Sequence, residues 1–126
     1  MPTHTHLGLL HFIDGFRHSF RGLRAAWTHA EAFRQELVVF IAAVIAAAFL
    51  GDGAVERALL IGILFPVLAA ELVNTAIETV VDRVGTEHHE LSGRAKDLAS
   101  AVVFVTIIAA VTVWAIVLIA VPDVEP

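Results

Sequence analysis

Glu71, Asn74, Thr75, Glu78 and Asp82 stand in an otherwise apolar stretch of the chain. At ~100° per residue, their spacing places all five in one sector of a helix about 100° wide. Leu72, Val73, Ile77, Val80 and Val81 occupy the rest of the circumference. Asn74 and Thr75 alone would suit a polar seam between packed helices. Three carboxylates would not, because like charges repel unless a proton or a cation lies among them. A charge at the centre of a membrane helix costs about 2.5–3.5 kcal/mol even on mild insertion scales, and such residues normally serve a function. Carboxylate oxygens suit Mg²⁺, which takes one or two of them and completes its shell with phosphate oxygens. A neighbouring carboxylate in a less polar spot is suited to act as a general base.

Beyond the stripe runs a polar connection, Gly85-Thr-Glu87-His88-His89-Glu90-Leu-Ser92-Gly93-Arg94-Ala-Lys96-Asp97. Lys96 is the single lysine of the chain. Its position fits either a phosphate contact or a lysine snorkelling at a membrane edge. His88 and His89 point in different directions on any regular element, so the pair is a weak metal signal. His4 and His6 alternate in the first six residues, a pattern read as a solvated tail.

The elements that carry these groups follow from composition. The chain has 126 residues, 58% of them hydrophobic and 17% charged, with no cysteine and a net charge of −5. A single domain of this length cannot bury so much apolar side chain in its own core. The same composition excludes intrinsic disorder. The lack of cysteine excludes disulfides and thiolate chemistry. An acidic chain with one lysine has no nucleic-acid footprint, so no nucleic-acid partner is expected. What remains is an all-α membrane protein of three transmembrane helices preceded by an amphipathic interfacial helix. The expected boundaries are 7–28 for the surface helix and 33–52, 56–84 and 94–121 for the spans, about 20 residues being enough to cross a bilayer. Pro66 is expected to kink the second span.

In the surface helix, Leu9, Phe12, Ile13, Phe16, Phe20, Leu23 and Trp27 fall on one face, and His11, Asp14, Arg17, His18, Arg21 and Arg24 on the other. Aromatic anchors opposite a basic face suit the bilayer interface. Charges interleave the apolar residues, unlike the continuous core of a secretory signal. Arg17, Arg21, Arg24 and Arg34 precede the first span, and Arg83, Arg94 and Lys96 lie between the second and third. The bias of basic residues puts these segments on the cytoplasmic side and the C-terminus outside.

Glu71-Leu-Val-Asn74-Thr75-Ala76-Ile77-Glu78-Thr-Val-Val81-Asp82-Arg83-Val-Gly85 resembles the signature of the prokaryotic diacylglycerol kinase family. The likeness continues through Glu87 to Asp97 and takes in Gly22-Leu-Arg24-Ala-Ala-Trp27 and Ala32-Phe33-Arg34-Gln35-Glu36. Together these segments cover most of residues 20–104. The resemblance implies a homotrimer of three-span subunits in the bacterial inner membrane, with a periplasmic C-terminus. It implies that MgATP phosphorylates diacylglycerol to phosphatidic acid, without the glycine-rich loop or catalytic loop of soluble kinases.

The resemblance also assigns roles. Glu71 matches the base that deprotonates the lipid hydroxyl, and Glu78 the ligand of the divalent metal. Lys96 and Asp97 match contacts to the nucleotide phosphates, with Glu87, His88 and His89 around the rest of the nucleotide and Asp82 close by. Ser100 matches a lipid contact, as do Arg24, Ala25, Ala26 and Trp27 and the run Ala32, Phe33, Arg34, Gln35 and Glu36. Asn74 lies between base and metal and is placed to orient either. Two departures stand out. Ala30 occupies the place of a family Glu that binds metal or nucleotide, and Glu31, one residue on and the candidate second metal carboxylate, is turned by ~100°. His11 and His18 stand where relatives carry Arg and Tyr as nucleotide contacts. The rival readings are an undecaprenol kinase of the same family and, in a different class, an ion-coupled carrier subunit, which would need no ATP.

Overall fold

The computed structural model describes residues 5–119; His4, Asp123 and Glu125 lie outside them. The described chain is α1 (Thr5–His29), α2 (Glu31–Leu50), α3 (Gly53–Gly62), α4 (Leu64–Val84) and α5 (Glu90–Ile119). There is no strand among the described residues. Three helical stretches are long and apolar enough to cross a membrane: Glu31–Leu50, Gly53–Val84 and Glu90–Ile119. The all-α membrane class expected from composition is therefore the one observed.

α1 and α2 are separated by the single extended residue Ala30, at φ −108° and ψ 104°. No side chain caps the start of α2. Instead, Arg34 reaches back from its first turn, and its Nη1 donates to the carbonyls of Trp27 at 2.9 Å and Thr28 at 3.3 Å. These are carbonyls that the end of α1 leaves without intrahelical donors. Ala26, Ala30 and Phe33 are buried together, with Leu37, Leu68 and Leu72 packed against them. The corner is thus anchored on α4. Further towards the N-terminus, Phe12, Phe16, Phe20 and Trp27 are exposed along α1, as an interfacial face requires. His6 falls in the first turn of this helix, so helix rather than tail begins at Thr5.

The turn after α2 depends on two glycines. A Cβ on Gly51 would stand 2.7 Å from Arg57 Cγ and 3.0 Å from the Ala47 carbonyl oxygen, too close for any side chain. Gly53 has φ +84°, a conformation open to glycine at little cost. Glu56 Oε2 accepts the Asp52 N–H at 2.7 Å and closes the start of α3.

The second span is two helices, broken at Ile63. The sequence points to Pro66 as the site of a kink, and the break lies three residues before it. Proline fits the first turn of a helix but disrupts the turn that precedes it, because it lacks an N–H and its ring crowds the carbonyl four residues back. Pro66 accordingly sits as the third residue of α4.

α4 and α5 form the most extensive helix pair, an antiparallel hairpin joined by residues 85–89. Among the described residues the buried apolar set is Ala26, Ala30, Phe33, Ala47, Leu60, Ala70, Ala99 and Ala110, six of the eight being alanine. Large apolar side chains point outward instead, Phe49 being 86% exposed and Ile119 81%. This inversion is what lipid surroundings permit, where small residues let helices approach and bulky ones meet acyl chains.

Candidate active site

Burial falls off along the polar stripe of α4. Glu71 is 5% exposed, Asn74 and Thr75 are half-buried, and Glu78 and Asp82 are exposed. The stripe therefore runs from the helix-packed interior towards the end of the hairpin. Glu71 Oε1 lies 3.5 Å from Thr75 Oγ1, which donates to it. Glu36 of α2 and Glu78 are near enough to Glu71 to interact through charge. Glu36 Oε2 and Asn74 Oδ1 are both buried without a hydrogen-bond partner among the described residues. Buried acceptors without donors are uncommon, and a water or a bound molecule can supply the missing donor.

At the exposed end lies a polar hollow of about 200 Å³. Asp82, Glu87, His88, His89, Ser92 and Lys96 line it. Lys96 Nζ donates to Asp82 Oδ1 at 2.7 Å, tying the start of α5 to the end of α4. Lys96 is also within charge reach of Glu78. His89 caps α5: its Nδ1 accepts the Leu91 N–H at 3.1 Å. A neutral imidazole whose Nδ1 accepts carries its proton on Nε2, so the ring offers a donor on its other side. The N-terminus of α5 opens at the same hollow, and the aligned N–H groups of a helix start favour anions. Cap, lysine and helix start together make a place suited to phosphates.

Other candidate residues are distributed more widely. His11, His18, Arg24, Ala25 and Trp27 are exposed on α1, and Ala26 is buried in the corner cluster. Ala32 is exposed and Phe33 buried. Arg34 is engaged in capping α1, while Gln35 donates to Glu31 Oε1 at a long 3.5 Å. Asp97 and Ser100 are exposed on α5, outside the lining of the polar hollow. Ala30 is buried at 8% exposure, so its position faces the corner cluster, whereas Glu31 is exposed. No group of three or more His, Asp or Glu that would hold a metal occurs among the described residues.

Two features have no counterpart in the sequence reading. An open groove of about 1050 Å³ separates α1 from α4, where Ser19, Gly22 and His29 face Thr75, Thr79 and Asp82. The small residues on α1 carry a weak helical-spacing signal for such a face. An apolar cleft of about 390 Å³ lies among α2, α4 and α5, with Gln35 and Glu36 as its polar lining. Phe40, Leu64, Leu68, Ile107 and Val111 contribute to its walls. No local pattern announces a cleft built from three helices.

An all-α membrane protein with a buried carboxylate, an adjoining apolar cleft and a polar hollow suited to phosphate has the elements that a membrane-embedded phosphotransferase needs. The comparisons with known proteins specify the family. The family model described as prokaryotic diacylglycerol kinase matches residues 17–118. The diacylglycerol kinase of Escherichia coli (strain K12) is 50% identical over 111 residues, covering 88% of this chain and 91% of that protein. That of Haemophilus influenzae is 45% identical over 107 residues, with 85% and 91% covered. That of Pseudomonas aeruginosa is 40% identical over 119 residues, with 94% and 96% covered. The chain belongs to the prokaryotic diacylglycerol kinase family, and it is a kinase.

Proposed function

We propose that this chain transfers the γ-phosphate of ATP to the free hydroxyl of diacylglycerol in the bacterial inner membrane, giving phosphatidic acid. The observation that carries the reading is the gradient on α4: a buried carboxylate, Glu71, on the same helix face as exposed acids beside a polar hollow. A lipid hydroxyl and a nucleotide can meet only at such a boundary.

In this reading, the apolar cleft beside Gln35 and Glu36 receives the lipid, with Arg24, Ala25, Ala26, Trp27 and the segment 32–36 on the lipid side. Glu71 takes the proton from the attacking hydroxyl. Glu36, whose buried oxygen has no donor among the described residues, accepts from this single hydroxyl as the lipid enters, before Glu71 takes its proton, and Asn74 lies between Glu71 and Glu78 to orient the groups. Asp82, Glu87, His88, His89 and Lys96 receive the nucleotide, with Asp97, His11 and His18 at its margins and Ser100 on the lipid side. Glu78, joined by Glu31 if the first turn of α2 swings towards α4, would hold Mg²⁺. The hard carboxylate oxygens of these residues fit that ion, which commonly needs only one or two protein ligands beside phosphate oxygens. Bound there, Mg²⁺ would neutralise charge on the phosphates. Lys96 adds an ammonium at the same place, and positioning with charge neutralisation is most of what phosphoryl transfer requires. Glu71 and Glu78 are two turns apart, ~10.5 Å along the axis. This separation sets the base towards the lipid and the metal carboxylate towards the water.

The test is phosphate transfer from labelled ATP in mixed micelles, with dioleoylglycerol or undecaprenol as acceptor and Glu71→Gln alongside. Transfer to dioleoylglycerol is expected. Loss of a general base predicts a fall in kcat of about 10²- to 10⁴-fold. Helix content and the KM for ATP should be unchanged in that variant. Transfer to undecaprenol alone would move the substrate to the isoprenoid alcohols. Ion flux without ATP dependence would replace the kinase reading by the carrier one.

A further inference from the structure

The break between α3 and α4 opens the hydrogen-bond ladder inside the second span. In a continuous helix the Leu64 N–H would donate to the Leu60 carbonyl. Here α3 ends at Gly62, and the Ile63 N–H donates to the Leu59 carbonyl at 3.2 Å. Leu60 is fully buried, at 0% exposure. Its carbonyl, among the last of α3, is in a part of the chain where lipid offers no donor and every backbone polar group needs a partner within the protein. Trp114 of α5 supplies one: its Nε1–H donates to the Leu60 carbonyl at 3.0 Å, across 54 residues of sequence. The indole N–H can only donate, so the direction of the bond is fixed.

This bond ties α5 to α3 just before the break that leads into α4, and the Lys96–Asp82 pair ties α5 to the far end of α4. Apart from Glu71, the buried residues of these two helices are Ala70 on α4 and Ala99 and Ala110 on α5. Small side chains allow close approach but offer no knob that would stop one helix sliding along the other. Sliding by one residue would move Glu71 by ~1.5 Å along α5. A misplacement of ~1 Å is enough to slow an oriented reaction about 100-fold.

We propose that Trp114 is a positioning residue: by holding the Leu60 carbonyl opened at the α3–α4 break, it sets the axial register of α4 on α5, and with it the place of Glu71 relative to Lys96. Its effect on rate rests on the lipid-kinase reading above; its effect on register does not.

The cysteine-free chain lends itself to the test. Cysteines introduced at Val80 and Leu98 carry spin labels in the full chain, reconstituted in lipid and diluted with unlabelled protein so that the intrachain distance is read. The backgrounds are unchanged, Trp114→Phe, and Trp114→Phe with Pro66→Ala. Trp114→Phe keeps the ring and removes the donor. It is expected to shift or broaden the distance and to lower kcat about tenfold or more, with the KM for ATP nearly unchanged. Pro66→Ala lets the ladder close over the break, so in the Trp114→Phe background it should narrow the distance again and recover most of kcat. An unchanged distance in Trp114→Phe overturns the proposal, as does a change that is the same with and without Pro66. If Trp114→Phe does not fold, benzothienylalanine at position 114, with sulfur in place of the N–H, is read in the same way. If the unchanged chain phosphorylates no lipid, the function falls, while the distances still decide the register.

Discussion

On the proposed reading, Glu36 and Asn74 border the place of the lipid acceptor. Each buries an oxygen that no group among the described residues satisfies; Glu36 is within charge reach of Glu71, and Asn74 lies one turn from it on α4. A lipid hydroxyl has one hydrogen to donate, and on the proposed reading Glu36, at the cleft, accepts it as the lipid enters, before Glu71 takes the proton. A hydrogen bond to a charged acceptor contributes ~1.5–3 kcal/mol. Glu36→Gln should therefore lower kcat/KM for diacylglycerol about 10- to 100-fold while the KM for ATP stays within about twofold. Equal loss for both substrates in steady-state assays would remove Glu36 from the lipid side. His89 separates two roles in the same way. Its Nδ1 caps α5, and the ring also lines the polar hollow. His89→Asn keeps a capping oxygen, so stability should hold while the KM for ATP rises. His89→Ala should lose both, with ~0.5–2 kcal/mol of stability gone from the missing cap. Thermal melts and ATP titrations of the two variants separate the roles, and identical behaviour would show that His89 serves the helix alone.

At the scale of elements, alanines decide how the helices meet. Ala99 is 2% exposed on α5, and Ala70 is 5% exposed on α4. Without a hydrophobic force between helices in lipid, close approach supplies the stability. Ala99→Leu should overfill the hairpin and lower stability by about 1–3 kcal/mol. Phe104, 64% exposed on the same helix, should tolerate Phe104→Leu with almost no change. Unfolding in mixed micelles compares the two, and a mild Ala99→Leu would mean that α4 and α5 are held by their end ties rather than by packing. The position of the second-span break belongs to this scale as well. Pro66 is legible as a disturbance, but whether the helix bends at it or breaks before it depends on which carbonyls find other partners.

At the scale of the molecule, the exposed apolar surface is lipid-facing, subunit-facing or both. A homotrimer with a cytoplasmic N-terminus is the arrangement we expect from the family resemblance and the basic residues. Native mass measurement in detergent should find three chains per particle, and a single chain that remains active would overturn the trimer. Single cysteines at Ala54 and Thr86 should react with impermeant reagent from opposite sides of an intact cell membrane, Ala54 from outside. Labelling of both from one side would contradict the three-span crossing.

Much of this protein is legible in one dimension. The three spans follow from long apolar runs, because a membrane helix satisfies its own backbone and needs only length and composition. The polar face of α4 follows from the spacing of Glu71, Asn74, Thr75, Glu78 and Asp82, because a helix converts spacing into direction. The acids and the family motif together were enough to point to lipid phosphorylation. What the sequence by itself leaves open is which groups from different helices meet. That Glu36 approaches Glu71, that Arg34 caps α1 and that Asp82 takes Lys96 depends on how the helices cross. The Trp114–Leu60 bond spans 54 residues and joins a side chain to a backbone oxygen that is open only because a helix breaks. A one-dimensional pattern records the period of each helix, but the rotation and register of one helix against another arise only when their surfaces pack.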